Sequence, residues 1–231
     1  MKVMVIQAVL FDLDNTLTHR TKSIEAYAKS LLSEYSDLLF EHDLHKIIQI
    51  IHRIDHGGYP LKELLTHPSI GASVTFALIQ ELDWKTLPDF ELLTEFWFTR
   101  FGKHAVEMEG AKALLQALKN KKYKLAVISN GGHKTRLNIL NGLGLVEYFD
   151  EIISSELIGV SKPNAEIFLE TQKRLGVSAQ HCLFVGDHPI NDIQGALNAG
   201  MNAVLIEGFH IEDAEPYQHR IKQLNELWAY L

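Results

Sequence analysis

The chain has 231 residues, 46% of them hydrophobic and 22% charged, with a net charge of −7 and a pI near 5.9. That length and apolar share can build one generous domain, or a core carrying an inserted module. The acidic balance disfavours a nucleic-acid partner, and the single cysteine, Cys182, excludes an intrachain disulfide and a cysteine-rich zinc site.

The first predicted strand is the uncharged, mostly apolar run over 3–11. Such a run reads as a strand buried on both faces of a parallel sheet. It ends in Asp12-Leu13-Asp14-Asn15-Thr16-Leu17-Thr18. Helical patterns follow. Thr21 or Ser23 is placed to cap a helix carrying Ala26, Leu31 and Leu32 at helical spacing. A second pattern over 42–54 puts Leu44, Ile47, Ile48 and Ile51 on one stripe, and Gly57-Gly58-Tyr59-Pro60 breaks it. A short helical segment over 61–65 and two longer ones over 72–82 and 90–101 complete a stretch with no strand pattern.

From Gly110 the rhythm changes to alternation. Helices are expected over 111–120, 134–143, 164–175 and 190–199, and strands over 123–128, 149–153, 183–185 and 203–206. Gly144, Gly176 and Gly200 stand just past helix ends, and Pro163 stands at a helix mouth. A polar helix over 214–231, with Ile221, Leu224, Leu227 and Trp228 inward, closes the chain. This order predicts an α/β fold, a doubly wound parallel sheet with a helical module inserted after the first strand. The expected division is 1–17 with 102–231 for the Rossmann-like core and 18–101 for the module.

Open α/β sheets keep their chemistry at the carboxyl ends of the strands. Asp12 and Asp14 stand at such an end. A carboxylate beside a phosphate costs roughly 4 kcal/mol at about 4 Å and an effective dielectric near 20. Mg²⁺ reverses that sign, since it takes one or two carboxylates together with phosphate oxygens. One aspartate can then attack phosphorus while the other carries a proton for the leaving oxygen. An Asx-rich turn with purely local hydrogen bonds accounts for this stretch equally well.

Three later strand ends decide between the two. Ser129-Asn130-Gly131-Gly132 offers a hydroxyl, an amide and backbone N–H groups to phosphate. Gly159-Val160-Ser161-Lys162-Pro163 offers a cation. Gly186-Asp187-His188-Pro189-Ile190-Asn191-Asp192 offers two acids to a metal whose first ligand is Asp12. Taken singly, each has a plainer account: a glycine turn, a solvated lysine, a helix cap. Their order along successive strand ends supplies a nucleophile, a metal cage and phosphate donors together.

On these four motifs, spanning Asp12 to Asp192, the chain resembles the haloacid dehalogenase-like hydrolase superfamily, in its phosphatase branch, similar to phosphoglycolate phosphatases. The resemblance implies a Mg²⁺-dependent phosphatase acting on a small phosphorylated metabolite through an aspartyl-phosphate. Asp12 would be nucleophile and metal ligand. Asp14 would be the general acid/base, giving its backbone carbonyl to the metal. Thr16 would brace the turn. Ser129 and Asn130 would bind phosphate, and Lys162 would steady nucleophile and phosphoryl group. Asp187 would be a metal ligand, with Asp192 behind it. The helical module would be the cap found after the first strand in many members.

The branch that cleaves carbon–halogen bonds typically lacks an acid two residues after the nucleophile and uses no metal, so Asp14 and Asp187 argue against it. A phosphosugar mutase or a non-catalytic regulator on the same scaffold are the alternatives. His188, in place of the commoner small polar residue, is open to either substrate or metal-site contact.

Elsewhere, His52, Asp55 and His56 read as a solvated helix end rather than a metal site, and residues 55–59 as a loop selecting substrate. Trp84, Trp97, Trp228 and Cys182 read as packing residues. No apolar run has transmembrane length, and the chain start lacks a cleavable leader pattern. The expectation is a cytoplasmic monomer or homodimer with no membrane partner.

Overall fold

The computed structural model of the protein describes residues 5–210 and 217–231. In chain order its elements are β1 (Ala8–Phe11), α1 (Arg20–Tyr35), α2 (Leu44–Asp55), α3 (Ile70–Glu81), α4 (Phe90–Arg100), α5 (Ala111–Asn120), β2 (Lys124–Ser129), α6 (His133–Leu143) and β3 (Glu151–Ser154). There follow α7 (Ser155–Ile158), α8 (Ala165–Leu175), β4 (Cys182–Gly186), α9 (Gly195–Asn198), β5 (Asn202–Ile206) and β6 (Arg220–Ile221). They form two compact units, Met1–Thr18 with Glu107–Leu231, and His19–Val106.

In the first unit the described strands form one parallel sheet in the order β3-β2-β1-β4-β5-β6. The order reverses direction at β1, which pairs with β2 on one side and β4 on the other; Leu10 lies opposite both Ala126 and Phe184. This is why the first strand tolerates no charge: Ala8, Val9, Leu10 and Phe11 are all fully buried. The strand is shorter than its apolar run. Val5 is exposed, and β1 begins only at Ala8, where flanking strands on both sides can pair with it.

Alternate residues point to opposite faces of a strand. On one face Ala8, Leu10, Ala126, Ile128 and Phe184 pack with Ile167 and Phe168 of α8. The Phe168 and Phe184 rings meet edge to face at 5.1 Å, each burial stabilising by about 2 kcal/mol. The other set, including Val9, Phe11, Leu125, Val127 and Val185, is equally buried, so the sheet is covered on both sides. Cys182 belongs to the core, and burial pushes its thiol up to about 11, leaving it inert.

The predicted C-terminal helix does not form as such. Its start, 214–216, lies outside the described residues. Arg220–Ile221 instead joins the sheet as β6, and Leu224–Tyr230 is a 3₁₀ helix. The edge of β5 has backbone groups that need partners. Leu205 N donates to His219 O, Glu207 N donates to Ile221 O, and Arg220 pairs with Glu207 at 3.0 Å. Leu224 and Leu227, three apart, suit a 3₁₀ period and are buried; Trp228 is 37% exposed rather than inward.

The second unit is helical, with consecutive helices α1 to α4 packed in sequence. Its aromatic core sets Tyr27 against Trp97 at 4.9 Å and Trp97 against Phe101 at 4.6 Å. Here α1 begins at Arg20, one turn earlier than the Ser23 cap predicts. Ser23 instead donates to His19 O and accepts from Val106 N. The buried stripe is Ile24, Tyr27, Ala28 and Leu31; Ala26 and Leu32 are only half-buried. Nor is Asp55 part of a solvated helix end. It is fully buried, accepting from Arg20 Nε at 3.1 Å, Arg20 Nη2 at 2.5 Å and Gly58 N at 3.0 Å. The Arg20 guanidinium also lies 4.5 Å from the Phe101 ring centroid. Asp55 therefore fastens the loop after α2 to the start of α1. Among the described residues no helix is long and apolar enough to cross a membrane.

Candidate active site

Everything at the site follows from the reversal of strand order at β1, which opens a crevice at the carboxyl ends of β1 and β4. Asp12 directly follows β1, its backbone N–H still bonded to Val185 O of β4 at 2.9 Å. The chain then turns back: Leu17 N and Thr18 N both donate to Leu13 O, and Asn15 takes a left-handed φ of 57°. Asparagine accepts that conformation more readily than most residues. Its amide also ties the turn to β4, donating to Asp187 Oδ2 at 3.1 Å. Thr18 Oγ1 lies 3.4 Å from Asp14 Oδ1. Thr16 is fully buried, and its hydroxyl has no hydrogen-bond partner among the described residues.

Ser129 is the last residue of β2 and is buried. The turn after it is held more tightly than glycines alone suggest. Gly131 N donates to Ser155 Oγ at 2.8 Å and His133 N to Glu156 Oε2 at 2.7 Å. The Gly131 N–H, among the groups expected to cradle phosphate, is thus engaged by the segment after β3, as is that of His133. Asn130 engages the Lys162 backbone twice: Lys162 N donates to its Oδ1 at 2.8 Å, and its Nδ2 donates to Lys162 O at 3.1 Å. It thereby fixes the lysine. From there Lys162 Nζ reaches Asp12 Oδ1 at 2.5 Å and Asp192 Oδ1 at 2.6 Å.

After β4 the predicted helix over 190–199 becomes a single π-helical turn, Pro189–Gln194, running into α9. The wide turn carries Asp192 back to the strand end. There its Oδ2 accepts from His188 N at 2.9 Å and its Oδ1 from Lys162. A Cβ on Gly186 would collide with the Asp192 carboxylate, so the strand end needs a glycine. His188 does what a small polar residue would do at a helix start: its Nδ1 accepts from Ile190 N and Asn191 N, both at 3.2 Å. Its ring packs 4.6 Å from that of His210, whose Nε2 is 3.2 Å from Asp187 Oδ2.

Sequence reasoning missed His210 and Arg136. Arg136, in α6, is buried and donates from Nη1 to Asp14 Oδ2 at 2.8 Å and from Nη2 to Asn130 O at 2.5 Å. Nothing in its own neighbourhood distinguishes it from a surface helix arginine. The one hint is Gly131, where a Cβ would lie 2.5 Å from Arg136 Nη2.

One oxygen from each of Asp12, Asp187 and Asp192 lies within 4.8 Å of the others. At that spacing each pair of charges repels by about 3 kcal/mol at an effective dielectric near 20. Burial, reinforced by the neighbouring acids, pushes Asp12 up to about 7 against the pull of Lys162. Burial raises Asp187 and Asp192 as well, opposed by His210 and Lys162 respectively. Burial also works against the Lys162 ammonium, but Asp12 and Asp192 outweigh it and hold it above the usual lysine value. Three acids, Asp12, Asp187 and Asp192, converge on the single ammonium of Lys162, a surplus of two negative charges when all three are ionised, while Arg136 faces Asp14. Asp12 Oδ2 is buried with no hydrogen-bond partner among the described residues. A buried carboxylate oxygen without a donor, in a cluster two charges short of balance, suits a divalent cation with oxygen ligands.

Comparison with known proteins places the chain among hydrolases. Over 217 residues the chain is 30% identical to a glyceraldehyde 3-phosphate phosphatase of Methanopyrus kandleri, covering 92% of this chain and 88% of the archaeal one. The crystal structure of a magnesium-bound haloacid dehalogenase-type hydrolase, YfnB of Bacillus subtilis, superposes with a TM-score of 0.70 at 25% identity, covering 98% of this chain and 99% of that one. A solved dehalogenase superposes with a TM-score of 0.71 at 21% identity over 99% of this chain and 98% of that one, a likeness of fold alone. Residues 6–200 match the family described as haloacid dehalogenase-like hydrolase, and the chain belongs to that family.

Proposed function

We propose that this protein is a Mg²⁺-dependent phosphatase that hydrolyses a small phosphomonoester through an aspartyl-phosphate on Asp12. The observation that carries the reading is Lys162 Nζ seated between Asp12 and Asp192 while Asp12 Oδ2 stays without a donor. One carboxylate oxygen is thus anchored and the other left for a cation and for phosphorus. Asp12, Asp187 and the backbone carbonyl of Asp14 would hold the ion, with Asp192 supporting them from behind. When bound, Mg²⁺ offsets the crowded acids and the negative charge of the phosphate.

The chain's own residues then divide the work. Asp12 attacks phosphorus, and the bond from phosphorus to the ester oxygen breaks. Asp14 gives its proton to that departing oxygen. Asp14 next takes a proton from water, which attacks the aspartyl-phosphate, releases inorganic phosphate and restores the Asp12 carboxylate. Ser129 and Lys162 donate to the equatorial oxygens, where charge must be met in the transition state. Asn130 serves by fixing Lys162. The archaeal relatives make glyceraldehyde 3-phosphate the first natural ester to try.

The test is phosphate release from p-nitrophenyl phosphate and from a panel of triose phosphates, phosphoglycolate, sugar phosphates and nucleotides, with Mg²⁺ and with EDTA. Release is expected only with the metal, and Asp12→Asn should abolish it with an unchanged circular dichroism spectrum. Near-normal turnover in that variant would overturn the mechanism. Silence towards every ester would overturn the function.

A further inference from the structure

Arg136 is a buried cation at the site with no part in the reaction written above. We propose that it is the positioning residue for Asp14, holding that carboxyl group where it can deliver a proton to the departing ester oxygen; this rests on the phosphatase reading. Its side chain is only 9% exposed. The planar fork is held at two points, Nη1 on Asp14 Oδ2 at 2.8 Å and Nη2 on Asn130 O at 2.5 Å. It therefore cannot swing without leaving the strand end. Gly131, with φ of 119°, leaves the space the guanidinium occupies; any side chain there would displace it. Thr18 Oγ1 stands 3.4 Å from the other oxygen, Asp14 Oδ1. The Thr18 hydroxyl has one proton and is nearer Leu13 O, at 3.2 Å, so the firm hold on Asp14 is that of Arg136 on Oδ2, and Oδ1 is left to carry the proton. An arginine gives directional contact that a lysine point charge does not. A residue that must aim a proton gains from that, whereas a residue that only balanced charge would not need it.

Loss of Arg136 has a consequence that a purely structural role lacks. As the bond from phosphorus to the ester oxygen breaks, its electron pair stays on that oxygen. A strongly basic alkyl oxygen needs the Asp14 proton to depart, whereas p-nitrophenolate departs without it. Loss of aim should therefore hurt alkyl phosphates and largely spare the aryl one.

The experiment measures kcat/KM for glycerol 3-phosphate and p-nitrophenyl phosphate in the wild type, Arg136→Gln, Arg136→Lys, Asp14→Asn and the double variant Asp14→Asn with Arg136→Gln. Circular dichroism and Mg²⁺ affinity monitor the fold. Arg136→Gln should lose about 100-fold on the alkyl ester, the low end of what a positioned acid contributes, and far less on the aryl ester. Arg136→Lys should recover part of the loss. The double variant should be no worse than Asp14→Asn alone, because the arginine acts only through that acid. Equal losses on both esters, or losses that multiply in the double variant, would overturn the assignment. If Arg136→Gln does not fold, the same two-ester comparison in Arg136→Lys decides the matter. A wild type inactive on both esters and on every other ester of the panel would instead overturn the phosphatase reading, and this inference with it; activity on another alkyl ester of the panel puts that ester in the place of glycerol 3-phosphate.

Discussion

Replacing Lys162 by methionine tests the electrostatic account of the site directly. The ammonium is 2.5 Å from Asp12 and 2.6 Å from Asp192, and all three side chains are 3% exposed or less. Methionine keeps the packing volume but leaves two carboxylates buried without their cation. Breaking a buried pair by removing one partner costs about 3–5 kcal/mol. For a chain of this size each kcal/mol moves Tm by about 2–4 °C, so the expected fall is about 6–20 °C.

The pH dependence has a definite sign. Burial holds Asp12 up to about 7 even with Lys162 present. Between about pH 4 and that value the folded protein keeps a proton the unfolded chain has released, and stability falls as pH rises. Without the lysine the carboxyl group rises further and the window extends upward. The Tm gap between variant and parent should therefore widen from pH 5 to pH 8 in metal-free buffer, and saturating Mg²⁺ should narrow it. Thermal denaturation followed by circular dichroism reads all of this. A gap that is largest at pH 5, or one below about 2 °C at pH 8, where a single kcal/mol would already show, would refute the reasoning.

Two further outcomes concern residues no motif announced. His210→Ala should weaken Mg²⁺ binding about 10–100-fold, since the imidazole stands 3.2 Å from one oxygen of Asp187, a carboxylate proposed to hold the ion; isothermal titration with an unchanged affinity would remove His210 from the site. Arg20→Met should destabilise the helical unit by about 3–5 kcal/mol by stranding the fully buried Asp55, while Arg20→Met with Asp55→Leu should recover most of the loss. A double variant as unstable as the single one in thermal melts would show that the pair does not act as a unit.

Much of the site was legible because its residues lie where local patterns end. An uncharged strand broken by Asp12 and Asp14, or an apolar run closed by Gly186-Asp187, marks a strand terminus without any knowledge of what lies opposite. The readings that failed did so where a local pattern fits two structures. Leu224 and Leu227 satisfy a 3₁₀ turn as well as an α-helix, and the free edge of β5 decided between them. Gly131 reads as offering its backbone N–H to phosphate, but Ser155 Oγ accepts from it. Asp55 reads as a polar helix end until Arg20, 35 residues earlier, is seen to bury it.

By itself, then, the amino-acid order determined the fold class and which segments end as polar strand termini, because burial and periodicity are written residue by residue. Tertiary structure alone decided the partnerships. Arg136 meets Asp14 across 122 positions, and Lys162 meets Asp12 across 150. Such contacts depend on which strand ends become neighbours in the sheet, and a charged side chain in a helix carries no mark of the acid that waits at the end of another element.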